Sequence, residues 1–332
     1  MLNLVLMFLA MAAAIIVAAM VLATYADRIA DQSGLGGSVT GLVLLAGATS
    51  LPEFSIGFNA VRMGAVDLTA GDVLGSSLVN LLILSVLDLA SRQPARILTR
   101  TAAAHALSAI VACILTGIVL LGIMLDTSWS LFRLSPVSWG LFITYALCAR
   151  LLFLDQKTAA LHDAQTGHAP PETEVKGRLS TNILRFCGAA AVIFFIAPSL
   201  AHTADQLAEL TGLGQTFFGT LFVATITSLP EAVATFAAIR MGTVDMAVGN
   251  ILGSNAFNMV ILGAVDFASP QPVLTLVSDV HCITAACVII TTGATTLSLL
   301  YRAEKRWWII EPDAALIALL VLGSLFLVYL KG

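Results

Sequence analysis

The chain has 332 residues, of which 58% are hydrophobic and 11% charged, with a formal net charge of -4. Soluble domains carry about 25% charged residues, so the composition excludes a soluble globular protein, and no basic cluster suggests nucleic-acid binding. Apolar runs of about 18 to 25 residues recur along the whole chain, each long enough to cross a hydrocarbon core of about 30 Å as a helix, and their continuity excludes a barrel of alternating strands.

In chain order the predicted spans are 2–24, 36–62, 67–90, 101–124, 131–154, 181–202, 214–240, 245–268, 275–299 and 309–330. The first lacks the basic leader of a secretory signal and is expected to be retained. Five cysteines, Cys113, Cys148, Cys187, Cys282 and Cys287, fall inside spans without paired spacing and read as small core residues. Between the fifth and sixth spans, KTAALHDAQTGHAPPETEVKGRLS contains Pro170 and Pro171 and reads as a linker too short to fold alone. With both termini outside, thirteen lysines and arginines lie inward and only Arg62, Arg133 and Lys331 outward, which the positive-inside rule favours. Trp307 and Trp308 beside Lys305 and Arg306 read as interfacial anchors of the last span.

A shift of 178 residues lays the chain on itself. Residues 25–94 align with 203–272 without a gap, with 32 of 70 positions identical, far above chance. Five spans per half is an odd number, so equivalent helices cross in opposite directions. The expected fold is therefore an all-α integral membrane protein of ten transmembrane helices in two inverted five-helix repeats, residues 1–155 and 181–332, joined by a cytoplasmic linker at 156–180. Such pseudo-two-fold folds place substrate near the midplane between repeats.

TSLPE occurs at 49–53 and again at 227–231. Pro52 lacks an amide hydrogen and clashes with the preceding turn, so carbonyls near Ala46 to Ala48 are expected to lose their helical partners, a cost in lipid unless they face protein, water or an ion. Ala46, Thr49 and Glu53 share one helix face, with Ser50 beside them. The second copy supplies Ala224, Thr227, Ser228 and Glu231. The companion spans offer Ser76 and Asn80 in GDVLGSSLVN, and Ser254 and Asn258 in GNILGSNAFN, with Gly75 and Gly253 permitting close approach.

These are oxygen ligands throughout, suited to Na+, Ca2+ or Mg2+ rather than zinc or copper. Two ionised glutamates would balance one Ca2+, and without a cation one of them would take up a proton. Exchange of sodium or protons for a divalent ion follows from that electrostatics. A simple kink is the lesser reading even for one copy of the motif and weaker still for two, since a mid-membrane acid is functional by default and here it recurs symmetrically; packing alone remains open for Ser76, Ser254, Asn80 and Asn258. Asp72, on the same stripe, reads as solvated near its helix end, with a role as an accessory acid left open. Asp279 and His281 read as an interfacial polar pair, His105 similarly, and Asp67, Asp88, Asp245 and Asp266 as helix-end acids.

ATSLPE with GSSLVN, and TSLPE with GSNAFN, resemble the two α-repeats of the calcium/cation antiporter superfamily, which includes the sodium/calcium exchangers, and the helix count extends the resemblance over the whole chain. The resemblance implies that Glu53 and Glu231 are central ligands shared by Ca2+ and Na+. It assigns hydroxyl ligands to Thr49, Ser50, Thr227 and Ser228, carbonyl ligands to Ala46 and Ala224, flanking serines to Ser76 and Ser254, and the first repeat's asparagine to Asn80. At Asn258 many members carry aspartate, so one titratable group is missing here, and coupling to sodium or to protons is left open.

The function expected is a secondary active antiporter exchanging Ca2+ for Na+ by alternating access, or alternatively for H+ at the same site. No catalytic residue or cofactor is expected, and the partners are membrane lipid and inorganic cations. An intramembrane serine hydrolase is disfavoured because neither the third nor the eighth span contains histidine or lysine to serve as a base, and a channel would not need alternating access. The resemblance to compact prokaryotic exchangers implies the inner plasma membrane, with both termini outside.

Overall fold

The computed structural model describes residues 2–33, 40–90, 105–125, 129–165, 178–209, 223–301 and 312–331. Among these the backbone is almost wholly helical, with one isolated bridge between Leu131 and Leu134. The helices are α1 (Leu2–Ser33), α2 (Ala46–Thr49), α3 (Leu51–Arg62), α4 (Val66–Ala90), α5 (Ala106–Met124), α6 (Pro136–Gln165), α7 (Leu179–Glu209), α8 (Ala224–Thr227), α9 (Leu229–Met241), α10 (Val244–Ala264), α11 (Val280–Tyr301) and α12 (Pro312–Lys331). Eight are long and apolar enough to cross a bilayer.

The second and seventh predicted spans are not continuous helices. Each breaks at the serine of TSLPE: Ser50 sits at φ -83°, ψ 9° between α2 and α3, and Ser228 at φ -78°, ψ 3° between α8 and α9. Proline then occupies the first turn of the new helix, where its missing amide hydrogen is harmless. A short π-helical turn, Thr40–Leu45, precedes α2. The expected freeing of the Ala46 carbonyl is only partial: it accepts from the Ser50 amide at 3.0 Å, as the Ala224 carbonyl does from Ser228. It is the Ala48 carbonyl that Pro52, lacking an amide hydrogen, cannot serve.

After each broken helix the chain turns through a glycine at φ +83°, Gly64 and Gly242, the left-handed conformation only glycine adopts cheaply. The closing bonds match as well, Ala65 N to Ala60 O and Thr243 N to Ala238 O, both 2.9 Å. This is a helix C-terminal motif that delivers the chain into α4 and α10.

Those two helices form the centre. Of the most apolar window in each, 67% of α4 and 72% of α10 is buried, against 22% in α1 and 17% in α6. They pack on each other, and each also receives the short helix of the opposite half: α8 lies on α4 and α2 on α10. Around them Leu74, Leu115, Leu141 and Leu262 belong to one apolar cluster, and Leu78, Leu81, Ile251 and Leu252 to another. The pair α1 and α7 lies along the broken helices, with Ala18, Ala19, Ala23 and Ala26 buried against Ala189, Ala234 and Ala238, while Leu6, Leu9 and Val17 face outward.

Some sequence readings shift. Helix α6 continues ten residues into the segment assigned to the linker, and residues 166–177 lie outside the described residues, as do Trp307 and Trp308. Of the five cysteines, all free, only Cys287 is buried and Cys187 is exposed on the bundle's outer surface.

Candidate functional site

At the crossing of α4 and α10 the two serine breaks bring polar side chains into an apolar interior. Thr49, Ser50, Glu53, Asp72, Ser76, Asn80, Thr227, Ser228, Glu231, Asn250, Ser254 and Asn258 are all 0–2% exposed. Ala46 and Ala224 are fully buried beside them. The structure thus buries every residue singled out for the site.

The hydrogen bonds fall into two sets related by the 178-residue shift. In one, Thr49 Oγ1 donates to Leu45 O at 3.0 Å and lies 3.3 Å from Asn250 Oδ1 and 3.4 Å from Ser254 Oγ. In the other, Thr227 Oγ1 donates to Asp72 Oδ1 at 2.9 Å and lies 3.0 Å from Ser76 Oγ, with the Ala224 carbonyl 3.2 Å away. Each threonine reaches across the interface to the stripe of the opposite half, because α2 packs on α10 and α8 on α4.

The glutamates are treated differently. Glu231 Oε1 accepts from Ser50 Oγ at 3.1 Å and from Ser254 Oγ at 3.3 Å. Among the described residues neither oxygen of Glu53 has a hydrogen-bond partner, nor has Glu231 Oε2, Asp72 Oδ2 or Ser228 Oγ. Glu53 feels the charges of both Glu231 and Asp72. Buried carboxylate oxygens without donors are expensive when ionised, a cost that a bound cation or a proton would offset. Among the described residues no three His, Cys, Asp or Glu side chains gather as a metal centre, so a cation here would take its remaining ligands from hydroxyl, amide and carbonyl oxygens, as hard cations accept.

Asp72 departs from the sequence reading. It is fully buried rather than solvated, because it lies two turns inside α4, where α8 covers it. Its counterpart Asn250, which sequence reasoning passed over, donates Nδ2 to Thr235 Oγ1 at 3.0 Å and to the Glu231 carbonyl at 3.4 Å. The signal was available: Asn250, Ser254 and Asn258 recur every four residues on one face.

One turn beyond the hydroxyls, Asn80 Nδ2 donates to Asn255 Oδ1 at 3.0 Å, and Asn255 Nδ2 to the Ser77 carbonyl at 3.1 Å. Asn258 Nδ2 makes longer contacts with Val73 O and Ser77 Oγ, 3.4 and 3.5 Å. The two asparagines stitch α4 to α10 through nitrogen, and the Oδ1 of each has no partner among the described residues.

The polar residues at the helix ends are partners across the halves. His281 is buried with Nε2 3.5 Å from Asp67 Oδ1 rather than paired with Asp279, and His105 Nε2 lies 3.5 Å from Asp245 Oδ1. Asp67 also accepts from the Ser278 amide at 2.7 Å. Asp266 is buried and accepts from the Ser135 and Val273 amides and from Ser138 Oγ; Asp88 too is buried.

The sequence model of a family described as sodium/calcium exchanger protein matches residues 3–154 and 181–330. Inner membrane protein YrbG of Escherichia coli is 28% identical over 263 residues, 76% of this chain and 78% of that protein. Sodium/calcium exchanger MaX1 of Methanosarcina acetivorans is 35% identical over 88 residues, about a quarter of each chain. Among solved structures, the sodium-calcium exchanger NCX_Mj soaked with Na+ and Sr2+ superposes with a TM-score of 0.68 at 20% identity, covering 98% of both chains. At that identity the likeness concerns the fold.

Proposed function

The chain belongs to the sodium/calcium exchanger protein family, a family of membrane cation exchangers, and from that premise we propose that it exchanges Ca2+ for Na+ at the α4–α10 crossing. The observation that carries the reading is the pair of fully buried glutamates, one on each broken helix, with three carboxylate oxygens between them lacking any donor among the described residues. A divalent cation balances two such charges, and hard oxygens suit both Ca2+ and Na+. The names of MaX1 and NCX_Mj point the same way.

On this reading Glu53 and Glu231 are the central ligands. Thr49, Ser50, Thr227 and Ser228 supply hydroxyls, Ala46 and Ala224 carbonyls, Ser76 and Ser254 flanking hydroxyls, and Asn80 and Asn258 amide oxygens. The architecture is two inverted five-helix repeats, residues 1–155 and 181–332. The 178-residue shift relates their paired hydrogen bonds, and the two segments matched by the family coincide with them. The broken spans complete the count of ten, and a 156–180 linker in the cytoplasm with both termini outside follows the distribution of basic residues. Inverted repeats around a midplane site support alternating access, one bundle moving past a fixed site.

The test is uptake of radioactive calcium into vesicles bearing the purified protein, with Na+, K+ and H+ gradients imposed in turn. Uptake driven by an outward Na+ gradient supports the reading. Uptake driven only by a pH gradient in sodium-free buffer refutes sodium coupling, and flux indifferent to every opposing ion refutes exchange.

A further inference from the structure

Resting on the exchange reading above, we propose that Asp72 is itself a cation ligand. With Thr227 Oγ1, Ser76 Oγ and the Ala224 carbonyl it forms an off-centre subsite carrying one negative charge, matched to a monovalent ion.

The argument starts from what occupies the equivalent place in the other half. Asn250 performs one task that Asp72 also performs, accepting a threonine hydroxyl from across the interface, at 3.3 Å against 2.9 Å. It does so without charge, and its nitrogen is used twice, on Thr235 Oγ1 and on the Glu231 carbonyl. Asparagine is therefore sufficient to cross-link the halves. In the first half Gly57 stands where Thr235 would be, and the Gly57 carbonyl is taken by Thr69 Oγ1 at 3.2 Å. An amide at position 72 would lose an acceptor there. That shortfall is smaller than the penalty of burying an ionised carboxylate with a single hydroxyl donor, so an ionised aspartate here calls for a counter-charge.

What remains is ion chemistry. Asp72 Oδ2 has no partner among the described residues at zero exposure, and Glu53 nearby has none on either oxygen. Ser76 Oγ, Thr227 Oγ1 and the Ala224 carbonyl lie within 3.0 to 3.4 Å of one another around Asp72. Four oxygen-bearing groups with one formal charge neutralise a monovalent cation. The divalent ion belongs with the two glutamates. The equivalent cluster at Thr49, Ser254 and Asn250 has the same shape and no charge of its own, so the two differ in what they hold.

Asp72→Asn separates the possibilities. In vesicles the Na+ concentration for half-maximal exchange should rise about tenfold, a loss of about 1.4 kcal/mol, and the reversal potential should shift to one charge fewer returned per Ca2+. The double variant Asp72→Asn with Asn250→Asp, which moves the charge to the other half, should restore the wild-type reversal potential; it carries the test if the single variant fails to assemble, and a reversal potential still one charge short would overturn the proposal. Binding of radioactive sodium to purified protein reads the subsite without transport: wild type should bind more tightly than Asp72→Asn. Unchanged sodium binding and an unchanged reversal potential in Asp72→Asn would make Asp72 a packing residue. Absence of exchange in wild type, with sodium binding still dependent on Asp72, would refute the exchange reading and leave the subsite standing.

Discussion

The two halves of the polar interior share a backbone and differ in charge. Ser50 and Ser228 break their helices at nearly the same dihedrals, and Gly64 and Gly242 turn the chain at the same φ. Yet Glu231 is held by two hydroxyl donors and neighbours a neutral Asn250, whereas Glu53 has no donor among the described residues and neighbours Asp72. The two copies share their backbone, and the few positions at which they differ set where the negative charge gathers. A second exchange of roles accompanies this. The hydroxyl stands at Thr235 opposite Ala247 in one half and at Thr69 opposite Gly57 in the other.

Removing a glutamate should break the comparison most completely. Glu53→Gln and Glu231→Gln should each lower sodium-driven calcium uptake more than about a hundredfold if both are the central ligands proposed above; more than a tenth of wild-type uptake in either would count against a central role. Next comes the hydroxyl exchange. A Cβ added at Gly57 would lie 2.9 Å from Thr69 Cγ2, so Gly57→Thr should destabilise the protein by about 1–3 kcal/mol through overpacking. Adding Thr69→Ala, which copies the second half, should recover most of the midpoint in thermal unfolding. If the double variant is no more stable, the halves are not interchangeable in shape.

Smaller effects sharpen the contrast. Ser50→Ala removes a donor to Glu231 and should raise the calcium half-saturation by about 1.5 kcal/mol or roughly tenfold, while Ser228→Ala, whose hydroxyl has no partner among the described residues, should change it less than about threefold. Equal effects would mean that the donor imbalance is immaterial to binding. Last, Asn80→Ala should cost about 1 kcal/mol of stability and Asn258→Ala less, because the contacts of Asn258 are longer.

Much of this was legible in the chain. The repeated TSLPE located both helix breaks and both glutamates, and the spacing of Ser76 with Asn80 and Ser254 with Asn258 put each pair on the helix face that is buried. Asp72 was not legible. Near the start of a helix an acid is ordinarily solvated, and its burial depends on α8, which comes from the far half and docks on α4. The partnership of His281 with Asp67 rather than Asp279 escaped for the same reason, since sequence proximity suggested a local pair. Asn250 was visible on its stripe but silent, because the Thr235 hydroxyl that gives it a task lies on another helix.

The small residues along α1 have a mechanical consequence. Interlocking of packed helices comes from side chains that fill each other's grooves, and a row of methyl groups such as Ala18, Ala19, Ala23 and Ala26 facing Ala189, Ala234 and Ala238 has little to interlock. Such a face resists displacement less than a row of large side chains would, and in the same cluster Leu22, Ile193 and Met246 are the side chains that fix the register.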